Sequence, residues 1–124
     1  MPSDVSLSAR YLRVYRTRGH TVIELRGEVD IAAAVHITPE LDAATRDRDL
    51  RVVVDLGPVE FLDCVGLGLL CRARRRVEER GGHLTLARPH RMIRRMLRSV
   101  RLSRVFVLAD TLDGALDGPG ATTG

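Results

Sequence analysis

The sequence predicts a single α/β domain with a mixed, mostly parallel β-sheet and helices packed beside it. Its 124 residues suit one domain, and chains of this size can bury a core without disulfides or metals. Hydrophobic residues make up 44% of the chain and charged residues 29%, which are ordinary globular values. Short β-branched segments alternate with segments of helical periodicity, and this alternation favours a parallel sheet with right-handed crossovers.

The first predicted element is an N-terminal β-hairpin. Residues 11–16 alternate weakly between apolar and polar, and residues 21–25 are β-branched or apolar. The glycine-containing turn TRGH lies between the two segments, as expected for a hairpin. We expect GEVD at residues 27–30 to close the second strand. The domain should begin at residue 11, after an N-terminal extension of residues 1–10.

A helix is predicted after GEVD, because small and apolar residues recur there at helical spacing. Pro39 lies within this pattern, and a proline inside a helix lacks an N–H and clashes with the preceding turn. Thr38 followed by Pro39 can instead cap a new helix. We therefore expect a short lead-in before Thr38 and the main helix after it. The residues on the predicted apolar face are Ala33, Ile37, Leu41 and Ala44.

The middle of the chain predicts a buried strand, a short loop and a long helix. RVVVDL at residues 51–56 is a continuous, mostly β-branched run, which is typical of a strand buried on both faces. A helix should follow from about Asp63, a capping residue, to Arg80. Gly81 and Gly82 supply the stop signal. We place Glu60 in the solvated loop before this helix.

The last third of the chain repeats the alternation of strand and helix. HLTLA at residues 83–87 predicts a strand, and a helix is expected from Pro89. RVFVLA at residues 104–109 predicts the final strand, and a short helix from Asp110 to Leu116 completes a domain of residues 11–116. Residues 117–124 are expected to form a flexible tail. The apolar face of the helix after Pro89 comprises Ile93, Met96, Leu97 and Val100.

The sequence lacks the motifs of the common enzyme classes. GLGLLC does not have the GxGxxG spacing, and neither HExxH nor GxSxG occurs. The four histidines are scattered, and the two cysteines have no partners at metal-ligand spacing. Glu60 and Asp63 could form an acid–base pair, but Asp63 is better explained as a helix cap. We expect no catalytic residue, no cofactor and no metal site.

Charge and hydropathy limit the partners and the location of the protein. All 20 basic residues are arginine and the net charge is +4, which suits an acidic partner or, more weakly, nucleic acid. Arginine usage can also reflect a GC-rich genome, and 3% aromatic residues are too few for stacking on single strands. No apolar run approaches the ~20 residues of a membrane span, and the N-terminus lacks a signal-peptide core. We predict a cytoplasmic location.

Cys64 and Cys71 are seven positions apart on one predicted helix. Their backbones should lie roughly 10 Å apart, beyond the ~7 Å limit for a disulfide, so both are predicted to be reduced. We expect Cys64 to be a small buried thiol. The alternative is a redox-active thiol, whose pKa is lowered by the start of the helix.

DLGPVEFLDCVGLGLL, with GEVD before it and GGHLTL after it, resembles the STAS family, the anti-sigma-factor antagonists. The resemblance extends from about Tyr11 to Leu116. It implies a STAS-like fold and a cytoplasmic, non-enzymatic regulator that works by partner switching. The implied partner is an anti-sigma factor that is also a serine kinase of the histidine-kinase-like ATPase fold. Binding of that factor releases the sigma factor to RNA polymerase.

The resemblance also implies a regulatory site at the start of the long helix. In the family, the kinase inactivates its antagonist by phosphorylating a serine in a D-S-[ST]-G-type motif. Asp63 and Gly66 match the aspartate and the glycine, Cys64 takes the variable position, and Val65 takes the phosphoacceptor position. Valine has no hydroxyl, and no Ser, Thr or Tyr occurs between residues 45 and 85. We therefore predict a constitutive binder that is not phosphorylated at this helix.

The predicted partner surface combines this helix start with the end of GEVD. Asp30 is either a partner contact or a helix cap, and Leu67 is the best candidate among the leucines for an exposed contact. Alternatives are a subunit of a lipid-transport ATPase complex, a ligand-sensing or stress-signalling scaffold component, and a basic nucleic-acid-binding protein. The oligomeric state stays open, a homodimer included. The predicted partner-binding residues are Asp30, Asp63, Cys64, Val65, Gly66 and Leu67.

Overall fold

A five-stranded mixed sheet forms the centre of the computed structural model, which describes residues 9–117. In chain order the elements are β1 (Leu12–Thr17), β2 (His20–Leu25), β3 (Gly27–Val29), α1 (Ile31–Ala44), β4 (Arg51–Asp55), β5 (Val59–Leu62), α2 (Cys64–Glu79), β6 (His83–Ala87), α3 (Arg91–Ser99), β7 (Val107–Ala109) and α4 (Leu112–Asp117). No helix within residues 9–117 combines the length and the apolar character needed to cross a bilayer.

The strand order of the main sheet is β1-β2-β4-β6-β7. Strands β1 and β2 are antiparallel, whereas β2–β4, β4–β6 and β6–β7 are parallel. The predicted α/β class and the predicted N-terminal hairpin are therefore confirmed. Strand β4 lies at the centre of the sheet and is buried from Val52 to Asp55, as its β-branched composition indicated.

Alternate residues of the central strands face two separate cores. Val54 and Leu86 belong to the larger core, which α1, α2 and α3 cover. Val53 and Ala87 belong to a smaller core on the opposite face, which includes Leu116 of the short helix α4. The period-2 alternation of β-strands explains this division, and it leaves the three longer helices together on one side of the sheet.

The prediction that GEVD closes the second strand is wrong. Gly27 has a left-handed backbone (φ +68°), a conformation that glycine adopts without steric cost. The chain leaves β2 at this point, and β3 pairs with β5 as a separate two-stranded parallel sheet. Residues 59–62, which we expected to be a loop, form β5. Each of these short strands provides the pairing partner that the other needs.

The prediction that Pro39 divides the first helix is also wrong. Helix α1 runs without interruption from Ile31 to Ala44, with Pro39 inside it. The buried face of the helix includes Ala33 and Leu41, whereas Pro39 is exposed. The proline ring lies away from the core. Pro39 has no N–H to donate to the carbonyl of Val35, but Val35 is exposed, so water can donate to that carbonyl instead.

Three boundaries near the C-terminus differ from the prediction. The final strand covers only Val107–Ala109, because residues 101–106 form turns in which Phe106 points into the core. Helix α3 begins at Arg91 instead of Pro89, and α4 begins at Leu112 instead of Asp110. Residues 1–8 of the predicted N-terminal extension, and all but the first residue of the predicted tail, lie outside the described residues.

An ion-pair cluster joins α1 to α2. The Arg72 guanidinium donates to both carboxylate oxygens of Asp42, at 2.8 and 2.7 Å. Arg76 donates to the Thr45 hydroxyl at 2.9 Å and lies 3.5 Å from the same carboxylate. The hydrogen bond from Arg72 holds the pKa of Asp42 below its ordinary value; partial burial opposes this, and the charges of Arg76 and Arg72 reinforce it.

Arg72→Ala should therefore destabilise the domain more at neutral than at acidic pH. An aspartate whose pKa is lowered by folding contributes stability above its unfolded pKa and loses that contribution as the pH falls through its folded pKa. The urea midpoints of wild type and variant should differ at pH 7, begin to converge as the pH falls below about 4, the reference value of aspartate, and meet only below the lowered pKa of Asp42. Arg75→Ala is the control, because Arg75 is exposed and has no ion pair among the described residues. A difference that stays constant with pH would contradict this prediction.

A second ion pair lies at the end of β4. The Asp55 side chain is buried and accepts two hydrogen bonds from Arg88, at 2.9 and 2.7 Å. It also accepts the backbone N–H of Gly57 at 3.0 Å. The hydrogen bond to Asp55 raises the pKa of Arg88 above its ordinary value. This pair fixes the chain where it leaves the main sheet for β5.

Candidate functional site

The two-stranded sheet places the starts of two helices side by side. Val29 of β3 lies opposite Leu62 of β5 in a parallel register. The next residues are Asp30 and Asp63, and each is the N-cap of the helix that follows. Helices α1 and α2 therefore begin at the same edge and run in the same direction.

Both aspartates cap their helices through hydrogen bonds. Asp30 accepts from the backbone N–H of Ala33 at 3.0 Å. Asp63 accepts from the N–H groups of Val65 and Gly66, at 2.9 and 3.0 Å. A helix start leaves four N–H groups without partners inside the helix, and these side chains satisfy some of them. The capping interpretations of Asp30 and Asp63 are confirmed.

The residues predicted for the partner surface differ in exposure, and Asp30 and Asp63 are half-buried. Val65 is 37% exposed and Cys64 is exposed, so the expectation of a buried Cys64 thiol is wrong. Leu67 is only 8% exposed and belongs to the larger core, so its predicted exposure is also wrong. Leu67, Leu70 and the rest of the buried face of α2 recur at helical spacing and cover the sheet.

Gly66 has a packing role at this site. A Cβ atom added at Gly66 would lie 2.5 Å from the carbonyl oxygen of Val29 and 2.8 Å from Cγ of Leu62. The missing side chain lets the first turn of α2 approach β3 closely. Gly66 is buried and therefore permits the close approach between α2 and the strand that leads into α1.

Sequence reasoning missed the exposed apolar residues around the helix starts. Ile31 and Val35 of α1 are each 71% exposed, and Phe61 of β5 is also exposed. The signal was present in the sequence, because Ile31 and Val35 are one turn apart and lie off the face formed by Ala33, Ile37 and Leu41. We call the exposed and half-buried residues at this end of the molecule the helix-start surface: Asp30, Ile31, Val35, Phe61, Asp63, Cys64 and Val65.

Charges are segregated in the segments that build this surface. Residues 27–45 and 52–71 contain no arginine, although arginine is abundant elsewhere in the chain. Glu28 and Glu60, which border the helix-start surface, are both exposed. The surface is therefore apolar with an acidic border. The acidic residues of the two segments are Glu28, Asp30, Glu40, Asp42, Asp55, Glu60 and Asp63.

An open groove of about 560 Å³ lies next to β5, between the loop after β4 and the start of α3. Its titratable side chains are Glu60 and His90. Within residues 9–117 no group of three or more His, Cys, Asp or Glu side chains could hold a metal ion. The lining residues are Gly57, Pro58, Val59, Glu60, His90 and Met92.

Comparisons with known proteins match most of the chain. The sequence model of the STAS domain matches residues 11–115. The anti-sigma-F factor antagonist RsfB of Mycobacterium tuberculosis is 30% identical over 100 residues, which are 81% of each chain. An anti-sigma factor antagonist from Mycobacterium paratuberculosis has a similar structure (TM-score 0.76, 30% identity, 85% of this chain and 89% of that one). A STAS domain protein from Planctomyces limnophilus (TM-score 0.77, 23% identity, 85% and 94%) supports the fold alone.

Proposed function

Since this chain belongs to the STAS domain family, we propose that it is an anti-sigma-factor antagonist that binds an anti-sigma factor through its helix-start surface. The names of its relatives in the two Mycobacterium species support the class of partner. The partner would be a serine kinase of the histidine-kinase-like ATPase fold. Its capture would release a sigma factor, which requires a cytoplasmic location.

One observation carries the proposal: Val65 is an exposed apolar side chain in the first turn of α2. A phosphoserine at this position would add about −1.5 to −2 charges and three acceptor oxygens. The helix start tolerates such a group, because the positive end of the helix dipole favours negative charge. The partner surface would have to desolvate the phosphate on binding. Val65 cannot acquire this charge, so the protein binds its partner constitutively.

The test uses purified anti-sigma factors of the source organism, titrated one at a time with the wild-type protein. At least one should bind, and prior incubation with Mg²⁺ and ATP should not change the affinity. Val65→Ser should become phosphorylated in the same mixture and then lose binding. Stoichiometric phosphate on the wild-type protein would overturn constitutive binding, and no binding to any factor would overturn the proposed function.

Cys64 provides a footprint of the same interface. Its thiol is exposed at the first residue of α2, whereas Cys71 is half-buried two turns later. We expect the bound anti-sigma factor to slow alkylation of Cys64 several-fold, because thiol reactivity depends on access as well as on ionisation. Alkylation of Cys71 should change little and is the internal control. Mass spectrometry of the two peptides measures both rates, and equal protection of both thiols would argue against binding at the helix starts.

A further inference from the structure

Gly68 lies in the second turn of α2, and no contact among residues 9–117 requires a glycine there. It is exposed, and a Cβ atom added there would meet nothing within 4 Å. Its backbone does not have the left-handed conformation that favours glycine. Glycine is the least favourable helix residue after proline, and a glycine inside a helix usually has a packing or functional reason. Gly66 has such a reason in its contact with β3, whereas Gly68 does not.

The position of Gly68 connects it to both helix starts. Val65, Gly68 and Arg72 are separated by one turn each and therefore share a face of α2. Arg72 binds Asp42 of α1, and Val35 lies seven residues before Asp42 on the same face of α1. The helices start together and run in the same direction, so Val35 and Val65 lie on the same side of the molecule. Both valines lie closer to the helix starts than the Asp42–Arg72 pair does.

The face shared by the two helices is apolar, and no other segment of residues 9–117 covers its exposed side chains. Ile31 and Val35, each 71% exposed, are the most exposed large apolar residues of the described part of the chain. Together with Val65 and Gly68 they form what we call the interhelical face. The Asp42–Arg72 pair closes one end of this face with compensated charge. At the other end the charged side chains are acidic, with Asp30 and Asp63 at the caps.

We propose that the partner's chain packs directly against the α2 backbone at Gly68, and that Ile31 and Val35 of α1 form the other half of its docking surface. The missing side chain gives an apolar segment of the partner close access to the helix. The acidic border of Glu28 and Glu60, in segments without arginine, selects a partner surface bordered by arginine or lysine. The inference rests on the proposed function and defines where and by what chemistry the anti-sigma factor binds.

The test is Gly68→Leu, assayed with the anti-sigma factor that binds wild type in the titrations above. The leucine meets open space in the free protein and favours the helix more than glycine does, so the melting temperature should rise by about 4 °C. The affinity should fall at least ~30-fold, because the side chain fills the space that the partner needs. Gly68→Ala should reduce the affinity less, by roughly 3-fold. Ser99→Leu, at an exposed position on α3, is the control and should bind like wild type.

Each outcome decides the inference. If the Gly68→Leu variant is folded and binds the anti-sigma factor like wild type, docking at Gly68 is overturned and the proposed function stays intact. If Gly68→Leu does not fold, Gly68→Ala is used instead. Wild-type affinity in Gly68→Ala would then overturn the docking at Gly68. No binding by wild type to any factor overturns both proposals. A dissociation constant that does not rise between 50 and 300 mM NaCl overturns the basic character of the partner, since charge attraction is screened by salt.

Discussion

Val65→Asp is expected to lower the affinity for the anti-sigma factor roughly 100-fold or more and to leave the domain folded. The fold should tolerate the change because Val65 is 37% exposed and its backbone N–H is already satisfied by Asp63. An acidic side chain in the first turn also interacts favourably with the helix dipole. We therefore expect the thermal unfolding midpoint of the variant to be close to that of wild type.

The loss of affinity follows from desolvation of the new carboxylate. In the complex, the partner would bury this carboxylate. A surface that binds a valine has no hydrogen-bond donor or countercharge at this position, so the carboxylate would stay unpaired. An unpaired charge buried in an interface costs about 2–5 kcal/mol, and 100-fold corresponds to about 2.8 kcal/mol. Isothermal titration calorimetry with the purified anti-sigma factor measures the change directly.

Two control variants separate charge from other causes. Val65→Asn has nearly the same size as Val65→Asp without its charge, so it should lose less affinity. Val105→Asp introduces the same carboxylate at a valine that is also 37% exposed but lies in the turn before β7, and it should bind like wild type. If Val65→Asp and Val105→Asp bind equally well, the start of α2 is not the docking surface.

The elements that could be predicted from the sequence are those with long or strongly patterned segments. The continuous apolar run of β4, and the capping Asp63 with the Gly81–Gly82 stop signal of α2, determined both elements within one or two residues. Strands β3 and β5 have three and four residues, which is too short for an alternation pattern, and each forms only because the other is there. Tertiary pairing of this kind cannot be read from a local window.

The same distinction applies to the functional site. The motif around Asp63 and Val65 identified the start of α2 because caps and helix starts are local features of the sequence. The contribution of α1 depends on the parallel pairing of β3 with β5, which places Ile31 beside the start of α2. Leu67 was assigned to the surface by its place after the glycine, but the helical phase of α2 directs it into the core.

Arg88→Met is expected to destabilise the domain by about 3 kcal/mol, a large share of the stability of a small domain. Asp55 is 0% exposed and would keep its carboxylate without a countercharge. Removal of one partner of a buried ion pair typically costs 3–5 kcal/mol, because the remaining charge stays desolvated. We expect a cost at the lower end of this range, since the Arg88 side chain is half-exposed and the N–H of Gly57 still donates to Asp55. Urea denaturation at pH 7 measures the difference in the free energy of unfolding.

The matched control is Arg94→Met. Arg94 donates to Asp110 at 2.6 Å, but Asp110 is exposed, and pairs with an exposed partner contribute about 0–1 kcal/mol. The two variants make the same chemical change, and Arg94→Met also removes a hydrogen bond to the Pro89 carbonyl at 3.3 Å. A larger loss in Arg88→Met is therefore attributed to the burial of the Asp55 carboxylate. Equal losses in the two variants would contradict this explanation.

The double variant Arg88→Met with Asp55→Asn distinguishes an unpaired charge from lost packing. A neutral amide at position 55 can still accept the N–H of Gly57 through its carbonyl oxygen and carries no charge to desolvate. We therefore expect the double variant to recover about 1 kcal/mol or more relative to Arg88→Met alone. A double variant as unstable as Arg88→Met would indicate that the packing of the arginine is what holds the end of β4. In either case the effect should reach the helix-start surface, because the chain passes from Asp55 through Gly57 into β5 and α2.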